Sequence, residues 1–150
     1  MIPSCDAVSG NVPPGIHEAT WSDLLLRYGS TSQRLRLLAG LKAALDRLRD
    51  AGCARVYVDG SVVTVKADPG DFDACWEMAG VDFTRLDQDA PVLLDWTRRR
   101  AGQKATFGGE LFISESSADP WGTPYLEFFQ RDRTSGQPKG LIALTLGDLP

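Results

Sequence analysis

The chain has 150 residues and a formal net charge of -4 at pH 7, with 43% hydrophobic and 24% charged residues. This length fits one domain with a real core, and the composition is that of an ordinary globular protein. The acidic balance argues against a general nucleic-acid binder, which is usually basic. Because no secretory signal and no apolar run of membrane-spanning length is visible, we expect a cytoplasmic protein without a membrane partner.

The cysteines indicate neither a disulfide framework nor a metal site. Cys5, Cys53 and Cys75 are odd in number, and no two of them have metal-ligand spacing. We expect reduced thiols, two of them in or beside buried strands.

The chain begins with a segment that lacks any helical or strand periodicity. Residues 1–15 contain three prolines and two glycines. We interpret them as an extended N-terminal arm and assign residues 16–150 to a single domain.

Two helices are predicted next. Thr20 is a candidate N-cap for a short helix that ends at Gly29. Thr31 or Ser32 then caps the longest helix, 33–51, in which leucines recur at helical spacing. This leucine stripe is typical of a core-facing helix surface.

Strands dominate the remainder. We predict strands at about 55–59 and 71–77, and a third buried strand over the apolar run 91–96, which begins with a proline. A helix over 98–107 precedes a brief strand at 111–113.

A hairpin is predicted at the end of the chain. It consists of an alternating strand over 125–132, a turn over 133–140 and a returning strand over 141–146. The predicted fold class is α+β, with a mixed sheet of about five strands and an N-terminal helical segment packed on it.

The chemistry of the chain concentrates where the second strand begins. Asp71 and Asp73 are two residues apart, so their side chains point to the same face of a strand. Two adjacent carboxylates are costly unless a positive charge lies between them, and a divalent metal is the usual solution. The alternative is a polar strand edge with no ligand.

A wider motif surrounds this pair. Gly60-Ser61 follows an apolar strand, and nine residues separate it from Asp71-Phe-Asp73. This pattern resembles the signature of the DNA polymerase β-like nucleotidyltransferase superfamily over 56–76. More widely, the stretch 15–73, Phe128-Phe-Gln-x-Asp-Arg and Pro138-Lys-Gly resemble an uncharacterised bacterial and phage family of small nucleotidyltransferase-like proteins.

The resemblance implies a site that binds metal and triphosphate. Asp71 and Asp73 would bridge two Mg²⁺ or Mn²⁺ ions, which stabilise the attacking and leaving oxygens. Gly60 would let the backbone approach the triphosphate, and Ser61 would offer an N–H and a hydroxyl. In this superfamily a third carboxylate lies on a following strand, and Asp95 is the match in the predicted strand 91–96. Alternatively, Asp95 is the N-cap of the next helix.

Basic residues are further candidates for nucleotide binding. Lys66 lies in the loop that the resemblance directs toward the triphosphate, although it also fits a solvated loop lysine. Lys104 belongs to a basic cluster with the run 98–100, which suits either phosphate contacts or a solvated helix face.

The resemblance implies a Mg²⁺-dependent enzyme that moves an NMP from an NTP to an acceptor hydroxyl. The acceptor would be a tRNA 3′ end or a protein side chain, in a toxin–antitoxin or phage-defence setting that would supply a cognate protein partner. Most superfamily members carry a second helical domain, which is not visible here. Two alternatives follow: an inactive nucleotide-binding regulator or antitoxin that acts through a protein partner, and an interaction module whose carboxylates are incidental.

Overall fold

A five-stranded mixed sheet forms the centre of the fold, as the sequence predicts for an α+β protein. The structure is a computed structural model that describes residues 1–150. The strand order is β1-β5-β2-β3-β4, with β1 (Gly15–Glu18), β2 (Arg55–Asp59), β3 (Phe72–Trp76), β4 (Gly109–Ile113) and β5 (Gly140–Thr145). β1 is parallel to β5 and β3 is parallel to β4, whereas β2 is antiparallel to both of its neighbours.

Five α-helices surround this sheet. They are α1 (Trp21–Tyr28), α2 (Ser32–Asp50), α3 (Phe83–Asp89), α4 (Thr97–Phe107) and the single turn α5 (Tyr125–Phe128). Thr20 and Asp23 form a reciprocal capping box at α1. The Thr31 hydroxyl accepts a hydrogen bond from the Arg34 backbone N–H at 3.1 Å, so Thr31 rather than Ser32 caps α2. None of these helices has the length and apolar character needed to cross a membrane.

The two faces of the sheet are covered differently. Alternation along β2 sends Val56 and Val58 into a main core of 29 buried residues, which includes every leucine of α2 except the exposed Leu35. The opposite face carries a smaller cluster of six buried residues, namely Tyr57, Cys75, Phe112, Phe129, Leu141 and Ala143. All three cysteines are free thiols, as expected.

The predicted strand at 91–96 is wrong. The segment Pro91–Leu94 forms a 3₁₀ helix, and Asp95 follows it in extended conformation without joining the sheet. Leu93 is fully buried, and a short apolar run of this kind suits a buried strand and a buried helical turn equally well. Pro91 at the first position is compatible with a helical start.

The predicted strand at 125–132 is also wrong. The segment begins with the helical turn α5, and β5 pairs with β1 and β2 instead of forming a hairpin with it. Tyr125, Phe128 and Phe129 have the i, i+3, i+4 spacing of a helix face, and their rings contact one another with centroids 5.6–6.3 Å apart.

The other predicted strands, at 55–59, 71–77, 111–113 and 141–146, are confirmed within two residues at each end. The helix predicted at 98–107 is confirmed only in its later part, because Arg98, Arg99 and Arg100 have left-handed backbone angles. The short strand β1 was not predicted. It follows the N-terminal arm, in which residues 1–14 contain no helix or strand. Ile2 and Val12 of this arm are nevertheless 7% and 3% exposed and belong to the main core.

Candidate functional site

Three carboxylates form a row across neighbouring strands on the face of the sheet opposite the main core. Asp59 at the end of β2 is the register partner of Asp73 in antiparallel β3, and Asp73 is the partner of Glu110 in parallel β4. Paired residues of neighbouring strands place their side chains on the same face. The fold therefore concentrates negative charge at this end of the sheet.

The two outer carboxylates of the row are neutralised by basic side chains of the protein. Lys139 Nζ lies 2.9 and 3.0 Å from the two carboxylate oxygens of Asp59, which is only 4% exposed. Glu110 accepts from Arg100 Nε at 2.8 Å, and Lys104 Nζ lies 2.8 Å from its other oxygen. Burial opposes ionisation of Glu110, but the bonds from Lys104 and Arg100 still hold its pKa below the usual value.

The Asp71–Asp73 pair has no such partner. Neither side chain takes part in a hydrogen bond or an ion pair with another residue. Burial raises the pKa of Asp73 to about 7, and the negative charges of Asp71, Asp59 and Glu110 add to this effect, whereas Arg133 opposes it. Asp73 is therefore a half-buried carboxylate close to three other acids, and only the weaker effect of the Arg133 charge offsets their repulsion.

The Gly60-Ser61 turn fixes where this pair lies. Gly60 has φ +88, and a Cβ at this position would lie 2.7 Å from the backbone nitrogen of Asp73, so a side chain is excluded. The Ser61 hydroxyl donates to the backbone carbonyl of Asp71 at 3.1 Å. The two residues that the sequence assigns to phosphate therefore also hold the start of β3 against the end of β2.

A narrow cleft opens beside Asp73 and Gly60. Its volume is about 80 Å³, and its wall includes the basic residues Arg131, Arg133 and Lys139. This volume lies well below the roughly 300 Å³ at which small-molecule pockets begin. The cleft therefore has room for one small group of a ligand beside the carboxylates, and the rest of a larger ligand would lie outside.

The segment that carries these basic residues is held in shape by Asp132. Asp132 Oδ1 accepts from the backbone N–H groups of Thr134 and Ser135 at 2.8 and 3.1 Å, and Oδ2 accepts from Asn11 Nδ2 at 2.7 Å. These bonds hold the pKa of Asp132 below its usual value. Asp132 thus forms an Asx-type turn that leaves the side chain of Arg133 exposed at the cleft.

An aromatic cavity lies beside the end of the carboxylate row. It has a volume of about 270 Å³ and is lined by six residues, namely Trp96, Arg100, Phe112, Ile113, Ser116 and Tyr125. The Tyr125 ring stacks on Phe112 with centroids 4.2 Å apart, and the guanidinium of Arg100 lies 5.0 Å from the Phe112 centroid. Phe112 is two residues beyond Glu110 in β4, so both side chains lie on the same face.

The residues predicted from the sequence are only partly brought together. Gly60 and Asp73 line the cleft, and the charge of Asp71 raises the pKa of Asp73. Asp95 does not line the cleft. The carboxylate of Asp95 accepts from the backbone N–H and hydroxyl of Thr97 at 3.0 and 2.6 Å, which lowers its pKa. Trp96 occupies the N-cap position of α4, and no side chain caps that helix, so the alternative interpretation of Asp95 as the N-cap is wrong and its bonds to Thr97 are local.

The two predicted lysines also lie apart. The exposed Lys66 lines a different cavity. Lys104 reaches the carboxylate row only through its ion pair with Glu110.

The neighbouring segment Arg98–Arg100 has φ values of 51, 53 and 59, a left-handed conformation that costs about 1–2 kcal/mol for each non-glycine residue.

Several residues of the site were missed by sequence reasoning. Asp59 and Glu110 are isolated acids in apolar strands, and only the register of the sheet reveals that they flank Asp73. Arg133 and Lys139 had a usable signal, because both fall within the two C-terminal motifs that resemble the small nucleotidyltransferase-like family. The resemblance itself indicates no role for either motif.

The donor chemistry of the Asp71–Asp73 pair is that of a hard divalent cation. No three histidine, cysteine or acidic side chains converge closely enough to hold a metal ion by themselves. Mg²⁺, however, commonly takes one or two carboxylates and completes its shell with water and substrate phosphates. The residues present therefore fit a cation that arrives with a phosphate ligand better than a resident one.

Comparison with known proteins places the chain in a family without assigning an activity. The chain belongs to DUF6932, a family of unknown function whose model matches residues 3–145. No curated protein and no solved structure matches it. The functional argument therefore rests on the geometry of the cleft.

Proposed function

We propose that the protein is a nucleotidyltransferase that acts on a nucleoside triphosphate bound with Mg²⁺ or Mn²⁺. The observation that carries this proposal is the unpartnered Asp71–Asp73 pair beside the Gly60-Ser61 turn, with the pKa of Asp73 raised to about 7. A cation between these carboxylates would relieve the repulsion that burial intensifies. The neighbouring outer carboxylates need no such relief, since Lys139 and Arg100 already neutralise them.

Each part of the cleft then has a role. Asp71 and Asp73 would hold the cation, and the cation would supply neutralisation of the negative charge on the phosphate oxygens. Arg131 and Arg133 contact the phosphates with their exposed guanidinium groups. Glu110 replaces Asp95 as the acid on the following strand, and Arg100 and Lys104 fix its orientation.

The reaction joins the acceptor to the nucleotide in one displacement. A bond forms between the acceptor hydroxyl oxygen and the α-phosphorus, and the bond from that phosphorus to the pyrophosphate oxygen breaks. The hydroxyl proton is released to water, and pyrophosphate leaves. The aromatic cavity at Trp96, Phe112 and Tyr125 offers ring faces on which a nucleobase can stack outside the narrow cleft.

The proposal is tested by label transfer. The purified protein is incubated with each of the four NTPs labelled at the α-phosphate, with Mg²⁺ or Mn²⁺, and with total tRNA or cell lysate as the acceptor. We expect labelled product with the wild type and none with Asp71→Asn or Asp73→Asn, because each variant removes a carboxylate that holds the cation. The control Asp87→Asn removes an exposed acid of α3 that has no partner and is expected to behave as the wild type does.

A binding protein without turnover is the second candidate, and two observations favour it. Glu110 is engaged by two basic side chains, and no three-ligand metal group is formed. This candidate predicts NTP binding by calorimetry with no transferred label. Absence of both label transfer and NTP binding would overturn the nucleotidyltransferase proposal and the binding alternative together.

A further inference from the structure

A third cavity lies between the helices α1 and α2 and the loop that leads from Ser61 to Asp71. Its volume is about 560 Å³, within the range of roughly 300–1,000 Å³ that holds small-molecule ligands. Its walls come from the N-terminal arm, the end of α1, the start of α2 and residues 64–67. It shares no lining residue with the carboxylate cleft.

The side chains that line this cavity carry positive charge, whereas the chain as a whole is negative. Arg27, Arg34 and Lys66 line the cavity, and no acidic residue does, although the chain carries a net charge of -4. Hydroxyl groups of Tyr28 and Thr31 are also present in the lining. Several cations together with hydroxyl donors are the chemistry that proteins use to hold phosphate groups.

Arg34 supplies the strongest part of the argument. Its side chain is buried, with only 5% of the residue exposed, and it donates to the backbone carbonyls of Val62, Thr64 and Lys66. These acceptors are neutral, and no carboxylate pairs with the guanidinium. The three carbonyls stabilise the guanidinium through hydrogen bonds but do not neutralise it, so Arg34 keeps its positive charge at the wall of the cavity without a counter-ion.

We propose that this cavity is a second ligand site, one that binds a small phosphate-bearing molecule without a divalent cation. The phosphate lies between Arg27, Arg34 and Lys66. Because Arg34 also holds the loop that continues to Asp71, the bound anion stabilises the conformation of that loop. The proposal does not depend on nucleotidyl transfer at the carboxylate cleft.

Calorimetric titration with inorganic phosphate and with pyrophosphate, in the presence of EDTA, tests this site. We expect saturable binding to the wild type, weakened about tenfold by Arg27→Gln and by Lys66→Gln, since each removes one charge-assisted contact. Both residues are exposed. The Lys66 side chain has no hydrogen-bond partner, so Lys66→Gln should keep the wild-type melting temperature, whereas Arg27 also donates to the backbone carbonyl of Pro3 at 2.7 Å, and the melting temperature of Arg27→Gln is measured alongside its affinity. The matched control is Arg36→Gln, which removes an exposed arginine of α2 with no ion pair.

Three outcomes would overturn the proposal. One is the absence of saturable binding in the millimolar range. Another is an equal loss of affinity in Arg36→Gln, which would indicate attraction to overall charge. The third is a loss of phosphate affinity in Arg133→Gln alone. That result would place the phosphate in the carboxylate cleft, and the nucleotidyltransferase proposal would still stand.

Discussion

Asp73 has an electrostatic environment that disfavours its own charge. It is half-buried in β3, it has acids on both neighbouring strands, and Asp71 precedes it by two residues. A protein that needs only a stable sheet has no reason to retain a carboxylate under these conditions. A carboxylate whose ionisation is unfavourable in the folded protein is typical of a functional site. Asp73 is therefore the most informative residue to substitute.

The raised pKa of Asp73 predicts how stability depends on pH. In the unfolded chain the group titrates near 3.8, whereas in the folded protein its pKa is about 7. Between these values the folded state binds the extra proton, so the contribution of Asp73 to the free energy of unfolding decreases as pH rises and is lowest above pH 7. We expect Asp73→Asn to gain stability relative to the wild type, on the order of 2 kcal/mol, between about pH 5 and about pH 8.

Denaturant unfolding of both proteins at the two pH values measures this gain. Asp87→Asn serves as the control and should show no pH-dependent difference from the wild type. Mg²⁺ added together with an NTP at the higher pH should stabilise the wild type more than Asp73→Asn, since a ligand stabilises only the state that binds it. A difference between wild type and Asp73→Asn that stays constant with pH would contradict the environment described for Asp73.

At the scale of elements, one ion pair fastens the basic segment to the sheet. Lys139 belongs to the segment 131–139, and its ammonium reaches the carboxylate of Asp59 at the end of β2. Burial raises the pKa of Asp59, and Lys139 opposes that rise. The charge of Asp59 is therefore sustained by Lys139, and the position of Arg133 at the cleft depends on the same segment.

Removal of one member of this pair is expected to cost more than removal of both. Lys139→Met leaves a buried, unpaired carboxylate and should lower the free energy of unfolding by about 3 kcal/mol. The double variant Lys139→Met with Asp59→Asn removes both charges and should recover most of that loss. Denaturant unfolding of the wild type, the two single variants and the double variant measures the coupling, and purely additive effects would show that the pair does not act as a unit.

The elements also show where sequence reasoning succeeds and where it stops. The helices α1 and α2 were predicted from capping residues and leucine spacing, which are local signals that the structure retains. The segments at 91–96 and 125–132 were misassigned because short apolar or aromatic runs fit two periodicities. The Asp71–Asp73 pair and the Gly60-Ser61 turn are visible as spacing, whereas Asp59 and Glu110 join them only through strand register, which no local pattern encodes.

On the scale of the whole molecule, the two faces of the sheet have different contents: the main core lies on one face and the candidate site on the other. One face carries the main core with the helices, and the other carries the carboxylate row and a cluster of six buried residues. Substitutions that test the site can therefore be made on one face without opening the main core. The N-terminal arm is the exception to a simple division into a domain and an appendage, since it contributes side chains to the main core although it contains no regular structure.

Two valines of this arm provide a matched test of its role. Val12 is 3% exposed, and its carbonyl accepts from the backbone N–H of Gly140 at 2.9 Å, where β5 begins, whereas Val8 is 97% exposed. We expect Val12→Ala to lower the free energy of unfolding by about 2 kcal/mol, because it removes buried methyl groups and leaves a cavity. Val8→Ala should change it by less than about 0.5 kcal/mol. Equal effects of the two variants in denaturant unfolding would show that the arm does not pack on the sheet as described, and would separate it from the unit that folds cooperatively.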